Sequence, residues 1–421
     1  MSESVSFWLT IFIFTTTYVG LALGKLPGLR TDRAGIALAG SAAVLACGLL
    51  PFDEAVKSVD FATILLLLGM MVVVAFLRRG GFFHVLTNVA LSRLQNPAAL
   101  LAVTMLLSGV LSALLVNDVV CLALTPLVLH LSRHLQLDPK PHLIGLAIAS
   151  NVGSTATLTG NPQNMIIGGL SHISYLRFAA KLAPVALLGL AIAYVITYLV
   201  YRKALRPALQ LSSEASDTNR NGDSRPLHPA HRALLIKSLI VTLAAVALFF
   251  AGAPMAIVAV GAASILLLER VKPDGVYRQI DWSLLVMFAG LFVVVRAFEV
   301  HVLSHTDVEN WKALRDSPVG LLSVVSAALS NLVSNVPAVL LFKPIIPAMP
   351  GNAQETAWLA LAMSSTLAGN LTVLGSVANL IVVENARKNG IAITLAEYCR
   401  VGVPVTLSTL LLGMAWLCLR Y

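Results

Sequence analysis

Long apolar runs in this chain are interrupted, twice over and in the same order, by polar clusters rich in helix-breaking residues. Few folds accommodate that. Asn117 lies in the segment Ser112 to Asp118, nine residues before Pro126. Asn335 lies in Ser330 to Val336, nine residues before Pro344, so that Ser112, Asn117 and Pro126 each meet a counterpart 218 positions on. Gly160-Asn161-Pro162-Gln163-Asn164 meets Gly375-Ser376-Val377-Ala378-Asn379 at a separation of 215, as Thr157 meets Thr372. Asp60 and Gly69 meet Asp281 and Gly290 at 221. The drift of three between segments is what short loop deletions produce. The chain is therefore read as two copies of one structural unit.

Hydrophobic residues make up 57% of the chain and charged residues only 12%, with a mean hydropathy of +0.85. A water-soluble domain carries about twice that charged fraction. Many of the apolar runs reach the roughly 20 residues a helix needs to cross a bilayer. The expected class is an all-α polytopic membrane protein. The first run, Phe7 to Leu23, lacks a basic leader and a small-residue cleavage site, so it reads as a retained span. The net charge of +9 then belongs to cytoplasmic loops rather than to nucleic-acid binding. Cys47, Cys121, Cys399 and Cys418 sit in or beside apolar segments, with no metal or disulfide spacing.

The pattern predicts ten spans and two re-entrant hairpins. First-half spans fall at 6–24, 33–50, 61–78, 142–169 and 179–201, with a hairpin at 97–131. Second-half spans fall at 233–251, 253–269, 282–300, 355–384 and 400–419, with a hairpin at 317–349. Residues 1–203 form one repeat and 233–421 the other. Between them, 204–232 is a polar cytoplasmic linker rich in Ser, Asp, Asn and Arg, expected to be disordered. Loop charges set the orientation. Lys25, Arg30, Arg33, Arg78, Arg79, Arg93, Arg133, Lys140, the linker's arginines, Arg270, Lys272 and Arg278 all fall on one side, the cytoplasm. Asp53, Glu54, Asp60, Asp307, Glu309 and Asp316 fall on the other. Both termini are then extracytoplasmic. Five spans plus one hairpin per half is an odd number of crossings, so the second repeat is inverted.

In hydrocarbon, non-helical backbone is tolerated only against protein or a water-filled cavity. Four clusters read as non-helical. Two are hairpin tips, at Asn117-Asp118 and at Ser334-Asn335. Two are breaks within spans. The first carries Asn151, Gly153, Thr155, Gly160, Asn161 and Asn164; the second carries Gly369, Asn370, Thr372, Gly375, Ser376 and Asn379. Gly and Pro open the backbone, while Asn, Ser and Thr offer donors and acceptors. Exposed carbonyls and side-chain oxygens suit a hard cation, and helix N-termini after each break suit an anion. For a single Ser or Thr, simple helix packing explains the residue equally well; recurrence in register across the duplication favours a binding site. Asp118 is an intramembrane carboxylate, either a proton or cation ligand or a cap for the returning helix. Among other charges, Arg296 and Glu299 are spaced as a local pair, Glu384 and Arg387 likewise, and Lys343 is expected to snorkel to the interface.

At these residues the chain resembles the ion transporter superfamily of divalent-anion/sodium symporters, citrate transporters, arsenite-efflux permeases and sodium/proton antiporters, in its anion permease branch. The family's tip signature is Ser-Asn-Thr with a proline eight positions after the Thr. Ser334-Asn335-Val336 with Pro344 keeps Ser and Asn, and Val116-Asn117-Asp118 with Pro126 keeps Asn alone. Asn117-Asp118 with Leu124-Thr125-Pro126 is similar to the arsenite-permease branch. Gly160 to Asn164 resembles the Gly-x-Pro-x-Asn element of the first broken helix, and Gly375 to Asn379 its second-half copy. The resemblance implies separate scaffold and transport domains, a homodimer in the cytoplasmic (inner) membrane, and a small anionic substrate. It also implies alternating access coupled to H+ or Na+, with a candidate Na+ site at Asn117, Asp118, Ser334 and Asn335. Val116 and Val336 stand where a hydroxyl is expected and Asp118 adds a charge, so proton coupling and one altered sodium site both stay open. Sodium/proton antiport and arsenite-type efflux with a partner ATPase are the alternatives. The chain has no phosphate-binding nucleotide loop, no nucleophile–base set and no metal cluster, so no enzyme activity and no cofactor are expected.

Overall fold

The computed structural model describes residues 2–23, 31–83, 85–86, 96–205, 229–269, 272–303 and 317–420. Most of the linker (206–228) lies outside the described residues, as do Lys25, Arg30, Arg93, Arg270, Asp307, Glu309 and Asp316. The described residues are helical, with no strand among them. The first half carries α1 (Glu3–Leu23), α2 (Arg33–Ala46), α3 (Phe52–Ser58), α4 (Phe61–Arg79), α5 (Pro97–Leu114), α6 (Asn117–His134), α7 (Lys140–Ser154), α8 (Pro162–Ser171) and α9 (Tyr175–Tyr201). The second carries α10 (Pro229–Phe250), α11 (Met255–Leu267), α12 (Asp274–Tyr277), α13 (Trp282–His301), α14 (Gly320–Val333), α15 (Asn335–Phe342), α16 (Gly351–Ala368), α17 (Val377–Lys388) and α18 (Leu395–Arg420).

Helix boundaries follow local chemistry. Asp32, Asp60, Asn96, Asn161, Ser174, Asp281 and Ser376 each accept from a backbone N–H in the first turn of the helix they precede. The α5–α6 joint is two extended residues, Leu115 and Val116, and the two helices fold back on each other. The α14–α15 joint is Ser334 alone. The expected spans at 142–169 and 355–384 are each two helices around a 3-10 turn, at Leu158–Gly160 and Val373–Gly375.

Among the described residues, seven helices, α1, α4, α5, α9, α10, α13 and α18, are long and apolar enough to cross a bilayer. The chain is an all-helical, multi-pass membrane protein. The count differs from ten because four expected spans fall short and one helix outside the ten, α5 (Pro97–Leu114), the first arm of the expected hairpin, is long enough to cross. Helices α2 and α11 run only 14 and 13 residues, short of the roughly 20 a full crossing takes, and the two broken spans divide their length between shorter helices. The short helices α3 and α12 were not anticipated.

Packing exchanges helices between the halves. Helix α2 packs on α13 and α11 on α4, with α1 across α2 and α13 and α10 across α11 and α4. Glycine makes both central crossings close. A Cβ on Gly69 would sit 2.6 Å from the Ala259 backbone, and one on Gly290 would sit 2.7 Å from the Ala37 carbonyl oxygen. Small residues let membrane helices approach to this distance, where dispersion contacts are densest. The remaining helices form a second group: α5 on α7, α14 on α16, and α9 along α18.

Where α3, α13 and α15 meet, four charges form one network. Arg296 pairs with Glu54 at 2.9 Å and with Glu299 at 3.1 Å, and Lys343 reaches Glu299 at 3.4 Å. The Arg296–Glu299 pair matches its spacing. Lys343 does not simply snorkel to the interface: Glu299, mostly buried, holds its ammonium back toward α13. Hydrogen bonds to charged groups contribute about 1.5–3 kcal/mol when desolvated and much less when exposed. Glu299→Ala is therefore expected to lower the thermal midpoint by several degrees and Glu54→Ala, the more exposed member, by less. Differential scanning fluorimetry of the purified variants checks the ranking.

Candidate functional site

Four helices begin and four end around one polar centre. Helices α6, α8, α15 and α17 start there; α5, α7, α14 and α16 finish there. Free amides and free carbonyls therefore converge on the same buried volume, the former suited to anions and the latter to cations.

Two hydrogen-bonded clusters fill this centre. In the first, Asn151 of α7 is the hub and is 1% exposed. Its side-chain oxygen accepts from Asn117 Nδ2 at 3.1 Å and from Ser376 Oγ at 3.0 Å. Its nitrogen donates to Asn370 Oδ1 at 2.9 Å and to Asn379 Oδ1 at 3.0 Å. Asn379 Nδ2 in turn donates to the carbonyls of Gly369 (2.7 Å) and Thr372 (3.1 Å), tying the second break together. In the second cluster, Thr366 of α16 accepts from Asn161 Nδ2 at 3.1 Å and Gln163 Nε2 at 3.3 Å. Asn164 Nδ2 donates to the carbonyls of Ser154 (3.2 Å) and Thr157 (3.0 Å), tying the first break. Asn335, oriented by its partners, donates to the carbonyls of Ser365 (3.2 Å) and Gly375 (3.1 Å) and accepts from Gln163 Nε2 at 3.1 Å.

The clusters correspond at most of their positions, though Asn370 and Gln163 have no counterpart amide. Asn117 and Asn335, Asn164 and Asn379, Thr157 and Thr372 hold equivalent places, and Thr366 stands 215 positions after Asn151. Each hairpin tip is engaged with a break in the opposite half. Asn117 reaches Ser376 and Asn379 through Asn151, and Asn335 reaches Gln163 directly.

Other expected residues lie apart from these clusters. Thr155 Oγ1 bonds the Asn151 carbonyl of its own helix. Gly153 packs its Cα face onto Gly109 of α5, so its role is close approach of helices. Gly160 closes the 3-10 turn before Asn161. Asp118 is half-buried beside Asn117, whose Oδ1 accepts from its amide at 2.9 Å. Helix α6 begins one residue earlier, after Val116, and has no side-chain cap, so Asp118 does not cap it. The Ala378 amide at the start of α17 faces its carboxylate. No group of three or more His, Cys, Asp and Glu placed to hold a metal occurs among the described residues.

Ser334 takes φ 78 and ψ 161, a region that costs a non-glycine residue about 1–3 kcal/mol and is stored mainly at functional sites. It lines a cavity of about 470 Å3 bounded by α1, α2, α13, α14 and α17, together with Asp32, Arg33, Asp281, Asn331 and Val377. Gln163, Thr366 and the cavity residues Arg33, Asp281 and Asn331 were not among the expected site residues. Signals for two of them existed. Thr366 is the register partner of Asn151, and Asp281 that of Asp60.

The comparisons agree with this architecture. A family model described as "Citrate transporter" matches residues 11–368. An uncharacterised transporter of Mycobacterium tuberculosis strain H37Rv is 31% identical over 98% of this chain and 99% of its own. The silicon efflux transporter LSI3 of Oryza sativa subsp. japonica is 30% identical over 93% of each chain. In fold, the chain is similar to the crystal structure of the Alcanivorax borkumensis YdaH transporter, with a TM-score of 0.57, 17% identity, and 99% of this chain and 97% of that chain covered. Helix breaks that meet at one buried amide-rich centre, in a chain matched over most of its length, place it in a family: this chain belongs to the citrate transporter family and is a membrane transporter of the anion permease type.

Proposed function

We propose that the chain moves a small anion, an inorganic oxyanion or carboxylate, across the inner membrane by alternating access, with H+ or Na+ as the coupling ion. The observation that carries this is the cross-linking of each hairpin tip to a broken helix of the other half. These links tie the tips and breaks of both halves into one body, which then moves as a unit against the remaining helices. The exchanged packing of α2 on α13 and α11 on α4 supports two inverted repeats, 1–203 and 233–421, joined by a linker at 204–232, with the two helical hairpins re-entrant. In this reading α1–α4 and α10–α13 are the scaffold, and the hairpins, broken helices, α9 and α18 the moving unit. The 470 Å3 cavity then opens toward the side the loop charges assign to the cytoplasm, both termini are extracytoplasmic, and the assembly is a homodimer. Efflux is the direction that the rice relative, a silicon efflux transporter, suggests.

Asp118 is the coupling residue of this proposal: a carboxylate at a tip, facing the α17 N-terminus, takes up a proton or a sodium ion as the site reorganises. Asp118→Asn keeps the shape and removes the charge. In proteoliposomes it is expected to abolish accumulation against a gradient while leaving exchange down a gradient measurable. Unchanged accumulation with unchanged ion dependence removes Asp118 from the mechanism. A sodium-driven proton flux that needs no anion, read by a pH-sensitive dye, replaces anion transport with antiport.

A further inference from the structure

Arg33 opens α2 and lines the 470 Å3 cavity that ends at the strained tip residue Ser334. It is half-buried, yet its guanidinium has no hydrogen-bond or ion-pair partner among the described residues. Two carboxylates, Asp32 and Asp281, share the cavity wall, and neither pairs with Arg33. Asp32 accepts from the Gly35 amide at 2.9 Å and Asp281 from the Leu284 amide at 3.0 Å, each capping its own helix. The Ser334 hydroxyl is likewise without a partner among the described residues. The cavity wall therefore presents a planar five-donor cation and a free hydroxyl beside two carboxylates, and among the described residues Arg33 is the one cationic side chain on it.

We propose that Arg33 and Ser334 form an oxyanion subsite on the route to the central clusters, selecting anions before they reach the uncharged amides of Asn335 and Asn151. The inference rests on the transport reading above and adds to it the residue that recognises charge. It answers a chemical difficulty of that reading. The side chains of the two clusters named above include no Lys, Arg or His, so they offer an anion no full positive charge. Guanidinium matches the planar edge of a carboxylate or phosphate with two parallel N–H bonds, which ammonium does not reproduce. The ligand chemistry is an oxyanion with at least two adjacent oxygens. Its two sources are a soluble anion and a lipid phosphate at the membrane surface.

The test uses full-length protein in detergent. Thermal shift is titrated with inorganic phosphate, sulfate, citrate and chloride, for wild type, Arg33→Gln, Arg33→Lys and Ser334→Ala. At least one oxyanion is expected to stabilise the wild type more than chloride does. Arg33→Gln is expected to weaken its apparent Kd at least tenfold, Arg33→Lys to recover only part of that, and Ser334→Ala to weaken it severalfold. In proteoliposomes the same anion should show a raised KM with little change in maximal rate for Arg33→Gln. Equal affinity in wild type and Arg33→Gln overturns the subsite, as does a wild type indifferent to all three oxyanions. An Arg33 effect seen only in nanodiscs of phosphatidylglycerol, and not with phosphatidylcholine plus soluble anion, assigns the site to lipid and also overturns it. If Arg33→Gln transports like wild type, the subsite fails and the transport reading stands. If the wild type binds the anion but never moves it, the transport reading fails instead.

Discussion

Replacing Asn151 by alanine is expected to abolish transport, with a fall of more than a hundredfold in initial rate. One side chain here holds four partners from three separate elements, Asn117, Asn370, Asn379 and Ser376. All five side chains are buried, so partners released by the substitution are left without ready replacements. A buried polar group left unpaired costs about 1–3 kcal/mol, and several would be stranded together. The tip at Asn117 would also lose its link to the second break. Asn151→Thr is the informative companion, because threonine stands at the register-equivalent position 366. It restores one donor and one acceptor, and its rate should fall between wild type and alanine. Proteoliposome flux, normalised to folded protein by size-exclusion chromatography, separates lost function from lost fold. Full activity in Asn151→Ala would remove the amide hub from the transport cycle.

A second large effect is expected at Gly153, here on stability. A Cβ at this position would lie 2.1 Å from the Gly109 carbonyl oxygen and 2.4 Å from its Cα. Both are backbone atoms, so no rotamer change relieves the clash, and α5 must separate from α7. Overpacking costs about 1–3 kcal/mol even where side chains can shift, and here the loss falls on the contact that seats the first hairpin. Gly153→Ala should give markedly less monodisperse protein and a much lower thermal midpoint. Gly261→Ala in α11 is the control. Its Cβ meets nothing within 4 Å, and alanine is favoured over glycine in a helix by about 1 kcal/mol, so the midpoint should hold or rise.

The two residues also show what was legible beforehand. Asn151 and Gly153 were expected from one local signal, a run of Asn, Gly, Ser and Thr inside an apolar stretch. That signal marks where a helix breaks, because these side chains compete for backbone hydrogen bonds. It does not distinguish the amide that binds from the glycine that packs; only the neighbour across the gap, Asn370 in one case and Gly109 in the other, does so. Gln163 escaped notice for the same reason. Its partners Thr366 and Asn335 lie far along the chain, and nothing between Asn161 and Asn164 announces them. Arg33 read as one more cytoplasmic positive charge until the cavity wall beside it was known. Lys343 read as a snorkelling lysine because its anchor, Glu299, belongs to another helix. Periodicity and breaks are local and survive in one dimension. Pairings across two hundred residues do not, except where the duplication points to the partner, as the 215-residue offset from Asn151 does for Thr366.

The exchange of helices between the halves bears on how such a chain is made. Helix α2 rests on α13, which leaves the ribosome more than two hundred residues later, and α4 rests on α11. During synthesis the glycine face of α4 at Gly69 must wait in lipid for Ala259, and the small-residue surface at Ala37 must wait for Gly290. These two contacts therefore form only once the second half is made, and a message truncated after the linker leaves those faces of α2 and α4 without their partners.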